Sequence, residues 1–159
     1  MVMLSNSRQV VIFRLGEEEY GIPILSVQEI IRPQTPTKLP NSPDFIKGII
    51  NLRGKVIPIV DLAQRFGITA SSDTHQQRFI VVEIQGNTVG VIVDSVSEVL
   101  AVSQEQIKPP VENFASFDAR YISGILARDE RLVILLDIEK IFLEDELLAL
   151  QEAGAAKEE

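Results

Sequence analysis

The chain has 159 residues, of which 45% are hydrophobic and 24% charged, with a formal net charge of -8 and a pI near 4.7. This composition predicts a globular protein with a packed core, and the acidic balance with scattered Lys and Arg argues against nucleic acid as a partner. Without Cys no disulfide or thiolate site can form, and without a leader or an apolar stretch of bilayer length we expect a soluble cytoplasmic protein with no direct membrane insertion.

Two segments of the chain recur in the same order. Residues 10–31 align without gaps on residues 79–100 at an offset of 69, which sets Gly21 over Gly90. Residues 45–66 align on residues 121–142 at an offset of 76, which sets Asp61 over Asp137. Because glycines and polar residues match as well as apolar runs, the sequence predicts one duplicated unit.

Each unit predicts a small β-rich lobe. A hairpin opens the unit at 9–15 or 78–84, and a second hairpin closes it around the turns at 53–54 or 129–130. Between the hairpins, Ser26-x-x-Glu29 and Ser95-x-x-Glu98 match a capping box, and in the first unit we expect a single helical turn followed by a strand. Four or five short strands per unit favour a closed or nearly closed barrel over an open sheet.

The predicted helices and domain boundaries lie where the spacing of apolar residues along the sequence changes. Asp61 predicts the cap of a short helix ending at Gly67, and Asp137 precedes an amphipathic pattern typical of a helix. The predicted boundaries are a flexible N-terminus at 1–7, a first barrel unit at 8–68, a linker at 69–77, a second barrel unit with the C-terminal helix at 78–150, and a flexible tail at 151–159.

The inventory of catalytic side chains is nearly empty. His75 is the one imidazole and lies in a polar stretch with loop composition. Asp61, Asp94 and Asp137 each follow an apolar strand, and we interpret them as helix or turn caps. We expect no metal, no cofactor and no nucleotide site. The alternative is a small-ligand-binding or hydrolytic β-barrel in which Asp61 and Asp137 face one cavity.

Arg53 is the exposed charge that the repeat does not explain. It lies at the tip of the first closing hairpin, where the second unit carries Asp129. An Arg at a loop tip is ordinarily solvated, so local chemistry alone does not assign it a function.

Four segments carry a family resemblance: EEYGIPILSVQEI at 18–30, FIKGIINLRGKVIPIVDL at 45–62, VGVIVDSVSEVL at 89–100 and LVILLDIEKIF at 132–142. Together they resemble the CheW family of bacterial chemotaxis coupling proteins. The resemblance implies a mainly β fold of two pseudo-symmetric SH3-like five-stranded β-barrels, packed face to face, with short helices and a C-terminal helix.

The resemblance also implies a function in two-component signal transduction. Members of the family are adaptors without enzymatic activity that couple the cytoplasmic tip of methyl-accepting chemoreceptors to the regulatory domain of the histidine kinase CheA. Carried over by position, the receptor-binding groove between the barrels would use Val27, Glu29, Arg53, Gly54, Val96 and Val99. A helix would lie in this groove on apolar anchors, with charges fixing its register.

Overall fold

A computed structural model of the chain describes residues 7–109 and 121–155. In chain order the elements are β1 Ser7–Leu15, β2 Glu18–Pro23, β3 Val27–Ile31, β4 Ile46–Leu52, β5 Lys55–Asp61, α1 Leu62–Phe66, β6 Arg78–Ile84, β7 Asn87–Val93, β8 Ser95–Ser103, β9 Ile107–Lys108, β10 Ile122–Arg128, β11 Arg131–Leu136 and α2 Glu144–Ala155. Residues 69–77 connect α1 to β6 without helix or strand.

The described strands form two sheets. Sheet 1 has the order β8-β1-β2-β11-β10-β9, and sheet 2 has the order β3-β6-β7-β5-β4. Neighbouring strands are antiparallel, except that β2 pairs in parallel with β11 and β7 pairs in parallel with β5. The mainly β fold with two lobes predicted from the sequence is confirmed.

Each sheet combines strands from both repeats. The opening hairpin of repeat 1, β1-β2, pairs with β8 and β11 of repeat 2. The opening hairpin of repeat 2, β6-β7, pairs with β3 and β5 of repeat 1. The predicted units at 8–68 and 78–150 therefore do not coincide with the two sheets. A sequence repeat fixes the order of hairpins along the chain, but it does not fix which hairpin an edge strand joins.

Strand register confirms the duplication at both offsets. In the parallel pairs, Leu135 lies opposite Gly21 in sheet 1, and Ile59 lies opposite Gly90 in sheet 2. Both edge strands also carry a β-bulge at the same repeat position, one before Glu29 in β3 and one before Glu98 in β8. The two sheets are thus equivalent strand by strand.

The chain itself links the two edges of each sheet. Backbone pairing leaves β8 and β9 at the edges of sheet 1, and a 3₁₀ turn at Gln104–Gln106 leads directly from one to the other. In sheet 2 the segment after β3 returns to the opposite edge, where Thr37 forms a bridge with Ile49 of β4. Each sheet therefore curls toward a barrel, while hydrogen bonds between the described strands leave its ring open.

Three apolar clusters form the core. The central cluster lies between the sheets and contains residues of both, including Phe13, Tyr20, Val82 and Val91. One smaller cluster lies inside the curl of each sheet. Five positions are repeat-equivalent: Val10, Ile12, Leu126, Val133 and Leu135 in sheet 1 match Phe79, Val81, Ile50, Ile57 and Ile59 in sheet 2. Val102 is an addition in sheet 1. The strands β1 and β6 are buried on both faces, which explains their continuous apolar runs.

The terminal boundaries need correction. Helix α2 packs on β4, β5 and β7 of sheet 2 and continues to Ala155, so residues 151–155 of the predicted flexible tail are helical. The reason is an apolar face spaced by three residues, in which Leu150 and Ala153 are buried. Ser7, predicted in the flexible N-terminus, begins β1. The remaining parts of these two predictions, 1–6 and 156–159, lie outside the described residues.

The capping predictions have mixed outcomes. Asp61 caps α1 by accepting a hydrogen bond from the Gln64 amide at 3.1 Å, and the helix ends at Gly67 as predicted. The turn and strand expected after Pro23 are present, but Ser26 is the last residue of the turn rather than its cap. Ser95 begins β8, so the second capping-box prediction is wrong. Pairing with β1 overrides the local signal there.

Candidate docking site

The turn that carries Arg53 and Gly54 is a two-residue hairpin turn between β4 and β5. Both residues have positive φ, 53° and 89°. Asn51 closes the turn, because its side-chain oxygen accepts a hydrogen bond from the Gly54 amide at 2.8 Å. Such a turn places Arg53 at the tip of the hairpin.

Arg53 forms an ion pair with Glu29. The Arg53 Nη2 donates to Glu29 Oε2, which connects the turn to the edge strand β3. The Arg53 side chain nevertheless remains 68% exposed. The structure therefore brings two of the predicted site residues into direct contact, and it leaves most of the guanidinium's surroundings open to solvent.

The three predicted valines occupy related positions on the two edge strands. Val27 of β3 and Val96 of β8 are equivalent in the repeat, and both are half-buried against the central cluster. Val99 of β8 lies on the outer side and is 47% exposed. The apolar part of the predicted site thus borders the core that joins the two sheets.

A second ion cluster, which sequence reasoning missed, lies in sheet 1. Arg131 of β11 holds Glu19 of β2 with two hydrogen bonds, at 2.8 and 2.9 Å, and donates from Nη2 to Glu98 of β8 at 3.0 Å. The hydrogen bonds from Arg131 hold the pKa of the Glu19 carboxyl below its ordinary value of 4.5. The repeat contained a signal for this cluster, since Glu98 is the equivalent of Glu29.

The aspartates that suggested a catalytic alternative have structural roles. Asp61 and Asp137 each accept a hydrogen bond from a backbone amide of the helical turn that follows. Asp94 is buried and accepts hydrogen bonds from the amides of Gly16 at 2.7 Å and Ser71 at 2.9 Å. The contacts of Asp61 and Asp137 support the interpretation as caps, and the geometry gives no support to a hydrolytic site built on these two residues. The cap prediction is wrong for Asp94, whose side chain instead holds the amides of two segments distant in sequence.

Other features with possible chemistry are few in the described parts of the chain. His75 is exposed in the connection between α1 and β6, and its Nδ1 lies 3.3 Å from Asp73 Oδ1. Among the described residues, no three His, Cys, Asp or Glu side chains cluster as metal ligands would. No helix within 7–109 or 121–155 is long and apolar enough to cross a membrane.

Leu25 is an exposed apolar residue that sequence reasoning also missed. It lies in the 3₁₀ turn before β3 and is 97% exposed. Its repeat equivalent is the buried Asp94. The two repeats therefore differ at this position: repeat 2 has a buried aspartate, and repeat 1 has an exposed leucine close in sequence to Val27 and Glu29.

Comparison with known proteins assigns the family. Residues 9–146 match the CheW-like domain. The chain is 43% identical over 140 residues to the chemotaxis protein CheW of Klebsiella aerogenes, covering 88% of this chain and 84% of the relative. It is 41% identical to the probable chemotaxis protein CheW of Rhizobium etli over 87% and 90% of the two chains.

A solved structure extends the likeness to the fold. The crystal structure of the scaffolding protein CheW from Thermoanaerobacter tengcongensis matches with a TM-score of 0.80 and 39% identity, covering 87% of this chain and 90% of that one. The sequence identity, the fold and the coverage of nearly the whole of both chains all indicate the same family. The chain belongs to the CheW family and is a chemotaxis adaptor.

Proposed function

We propose that this protein couples the cytoplasmic tip of methyl-accepting chemoreceptors to the regulatory domain of the histidine kinase CheA. It acts in the cytoplasm as a non-enzymatic part of a two-component pathway. The family assignment supports this proposal, together with the capping roles of the aspartates that were the candidates for catalysis. The chain would contribute surfaces for two partners and would turn over no substrate.

The receptor would bind at Val27, Glu29, Arg53, Gly54, Val96 and Val99. The physical basis is a helix lying along an apolar strip with charged groups beside it, which fix its register. Val27 and Val96 border the central cluster from both edge strands, and Val99 adds exposed apolar surface. The kinase would instead pair barrel against barrel, on strands contributed by repeat 1.

The observation that carries the proposal is the exposed ion pair between Arg53 and Glu29. An exposed pair of this kind contributes only about 0–1 kcal/mol to stability, so its structural value is small. A guanidinium that stays largely in solvent keeps further donors available for a carboxylate on a receptor helix. The competing explanation is that Arg53 simply holds its own hairpin to β3.

A charge exchange separates these two explanations. Arg53→Glu places two carboxylates together, whereas the double variant Arg53→Glu/Glu29→Arg restores an ion pair with its polarity reversed. If Arg53 contacts the receptor, both variants weaken binding to a receptor cytoplasmic fragment. If the pair only holds the hairpin, the exchanged pair restores binding.

Stability and kinase affinity provide the controls for this experiment. We expect the melting temperature of the double variant to remain close to wild type, and its affinity for the isolated regulatory domain of the kinase to change little. Lys55→Ala, two residues from Arg53, removes a positive charge that bonds Thr88 rather than Glu29. Normal receptor binding by the folded Arg53→Glu protein would refute the assignment of the groove.

A further inference from the structure

We propose that Arg131 is a positioning residue for partner binding: by holding Glu98 it fixes the edge strand β8 and so orients Val96 and Val99. This inference rests on the proposed function, in which the two valines form one side of the receptor groove. Arg131 itself lies in β11 and belongs to none of the positions carried over from the family. It would act on the partner through β8.

Glu19 of β2 orients the guanidinium of Arg131 toward β8. Its Nε and Nη2 atoms donate to the two carboxylate oxygens of Glu19 at 2.8 and 2.9 Å, which is a bidentate contact. The Glu19 side chain is only 13% exposed, so this contact is shielded from solvent more than an ordinary surface pair. The Nη2 atom then presents a fixed donor to Glu98 at 3.0 Å.

Strand β8 receives the contact from Arg131 through Glu98. It pairs with β1 along one side, and backbone pairing makes it an edge strand of sheet 1. A β-bulge interrupts the ladder between Val96 and Glu98, which lie opposite Phe13 and Ile12. Edge strands with bulges are the parts of a sheet that twist and shift most readily. The contact from Arg131 reaches β8 beside this irregularity.

The equivalent edge strand in sheet 2 has a Glu–Arg contact at the same repeat position. Glu29 follows the equivalent bulge in β3 and is held by Arg53. The repeat equivalent of Arg131 is Lys55, which bonds Thr88 at 2.8 Å, so the two sheets hold equivalent glutamates with arginines from different positions. Both sides of the proposed groove therefore carry a Glu–Arg contact at the same repeat position.

Arg131→Lys and Glu19→Gln test the anchoring without removing a groove residue. Lysine keeps the positive charge but cannot hold two carboxylates with a planar fork. Glu19→Gln leaves both Arg131 and Glu98 in place and replaces the carboxylate that orients the guanidinium by a neutral amide with one acceptor oxygen. Lys55→Ala is the matched control, because it alters the equivalent position of repeat 1 without touching β8.

Two measurements are made on the full-length protein. Affinity for a purified chemoreceptor cytoplasmic hairpin fragment is expected to fall about three- to tenfold in Arg131→Lys and in Glu19→Gln, with Lys55→Ala unchanged. Methyl NMR spectra without the receptor are expected to show shifted Val96 and Val99 signals and an unchanged Val27 signal. Combining Arg131→Lys with Glu98→Gln is expected to add little to either single effect.

The outcomes separate this inference from the proposed function. If wild type binds the fragment, Arg53→Glu does not, and Arg131→Lys binds normally, positioning by Arg131 is refuted and the groove stands. Unshifted Val96 and Val99 methyl signals in Arg131→Lys also refute it. A wild-type protein that does not bind the fragment refutes the proposed function and this inference together.

Discussion

Phe45 of repeat 1 stacks on Phe142 of repeat 2, with ring centroids 5.5 Å apart and an angle of 27° between the rings. At the duplicated positions, Tyr121 of repeat 2 lies against Phe66 of repeat 1 with centroids 5.6 Å apart. Each repeat thus contributes one ring to each pair. The aromatic contacts connect the two halves of the chain in the same reciprocal way as the strands do.

We expect Phe142→Ala to lower the free energy of unfolding by about 3–5 kcal/mol, the range for removing a buried aromatic ring. Phe142 is 5% exposed and borders the central cluster, so the cavity would open where both sheets meet. Urea denaturation measures the loss, and Leu148→Ala, at a residue 53% exposed on α2, serves as the control. A loss below about 1 kcal/mol would contradict the role given to this contact.

The fragments 1–77 and 78–159 are expected to be unfolded when separate and to fold when mixed. Neither fragment contains a complete sheet, because the pairs β1–β8, β2–β11, β3–β6 and β5–β7 all join one fragment to the other. Circular dichroism of each fragment and of the equimolar mixture tests this. A separate fragment with cooperative unfolding and native strand content would show that a repeat folds alone.

The repeat made much of this fold predictable, but it could not supply the pairing between repeats. The offsets that set Gly21 over Gly90 and Asp61 over Asp137 correctly predict equivalent strands and equivalent caps. Local patterns cannot distinguish a β3 that joins its own hairpin from one that joins the other repeat's hairpin, since both offer similar apolar edges. For this reason the units at 8–68 and 78–150 do not coincide with the two sheets.

The candidate site, like the fold, was predictable only in part from the sequence. The sequence identified Arg53 as a diverged charge at a hairpin tip, and the family resemblance placed Glu29 in the same groove; the two side chains are paired in the structure. It did not predict the contact of Glu98 with Arg131, which lie 33 residues apart in the chain. Such a contact depends on how far sheet 1 curls, and no local pattern encodes that curvature.

Gly48→Val is expected to destabilise the protein by about 2 kcal/mol or more, as overpacking at a crowded backbone position does. A Cβ added at Gly48 would meet the carbonyl carbon of Thr37 at 2.7 Å and Pro36 at 2.9 Å, and φ is +148°. The repeat-equivalent Gly124 is crowded in the same way, because a Cβ added there would lie 2.5 Å from the Ile107 side chain. Thermal unfolding of Gly48→Val, with Gly154→Ala as the control, measures the cost; a change within about 0.5 kcal/mol would refute the steric argument.

Glu19→Gln is expected to remove part of the acid sensitivity of the fold. Arg131 lowers the pKa of Glu19 in the folded protein below its ordinary value of 4.5, so the charged carboxylate stabilises the folded state above that pH. This contribution is lost as the pH falls through the lowered pKa of the folded state, because the unfolded chain binds the proton more tightly. The difference in unfolding free energy between wild type and Glu19→Gln should therefore be largest near neutral pH and should shrink below pH 4.5. Urea denaturation between pH 7 and pH 3 measures it, with Glu17→Gln as the exposed control. A difference that stays constant over this range would show that the Arg131 contact does not perturb the titration of Glu19.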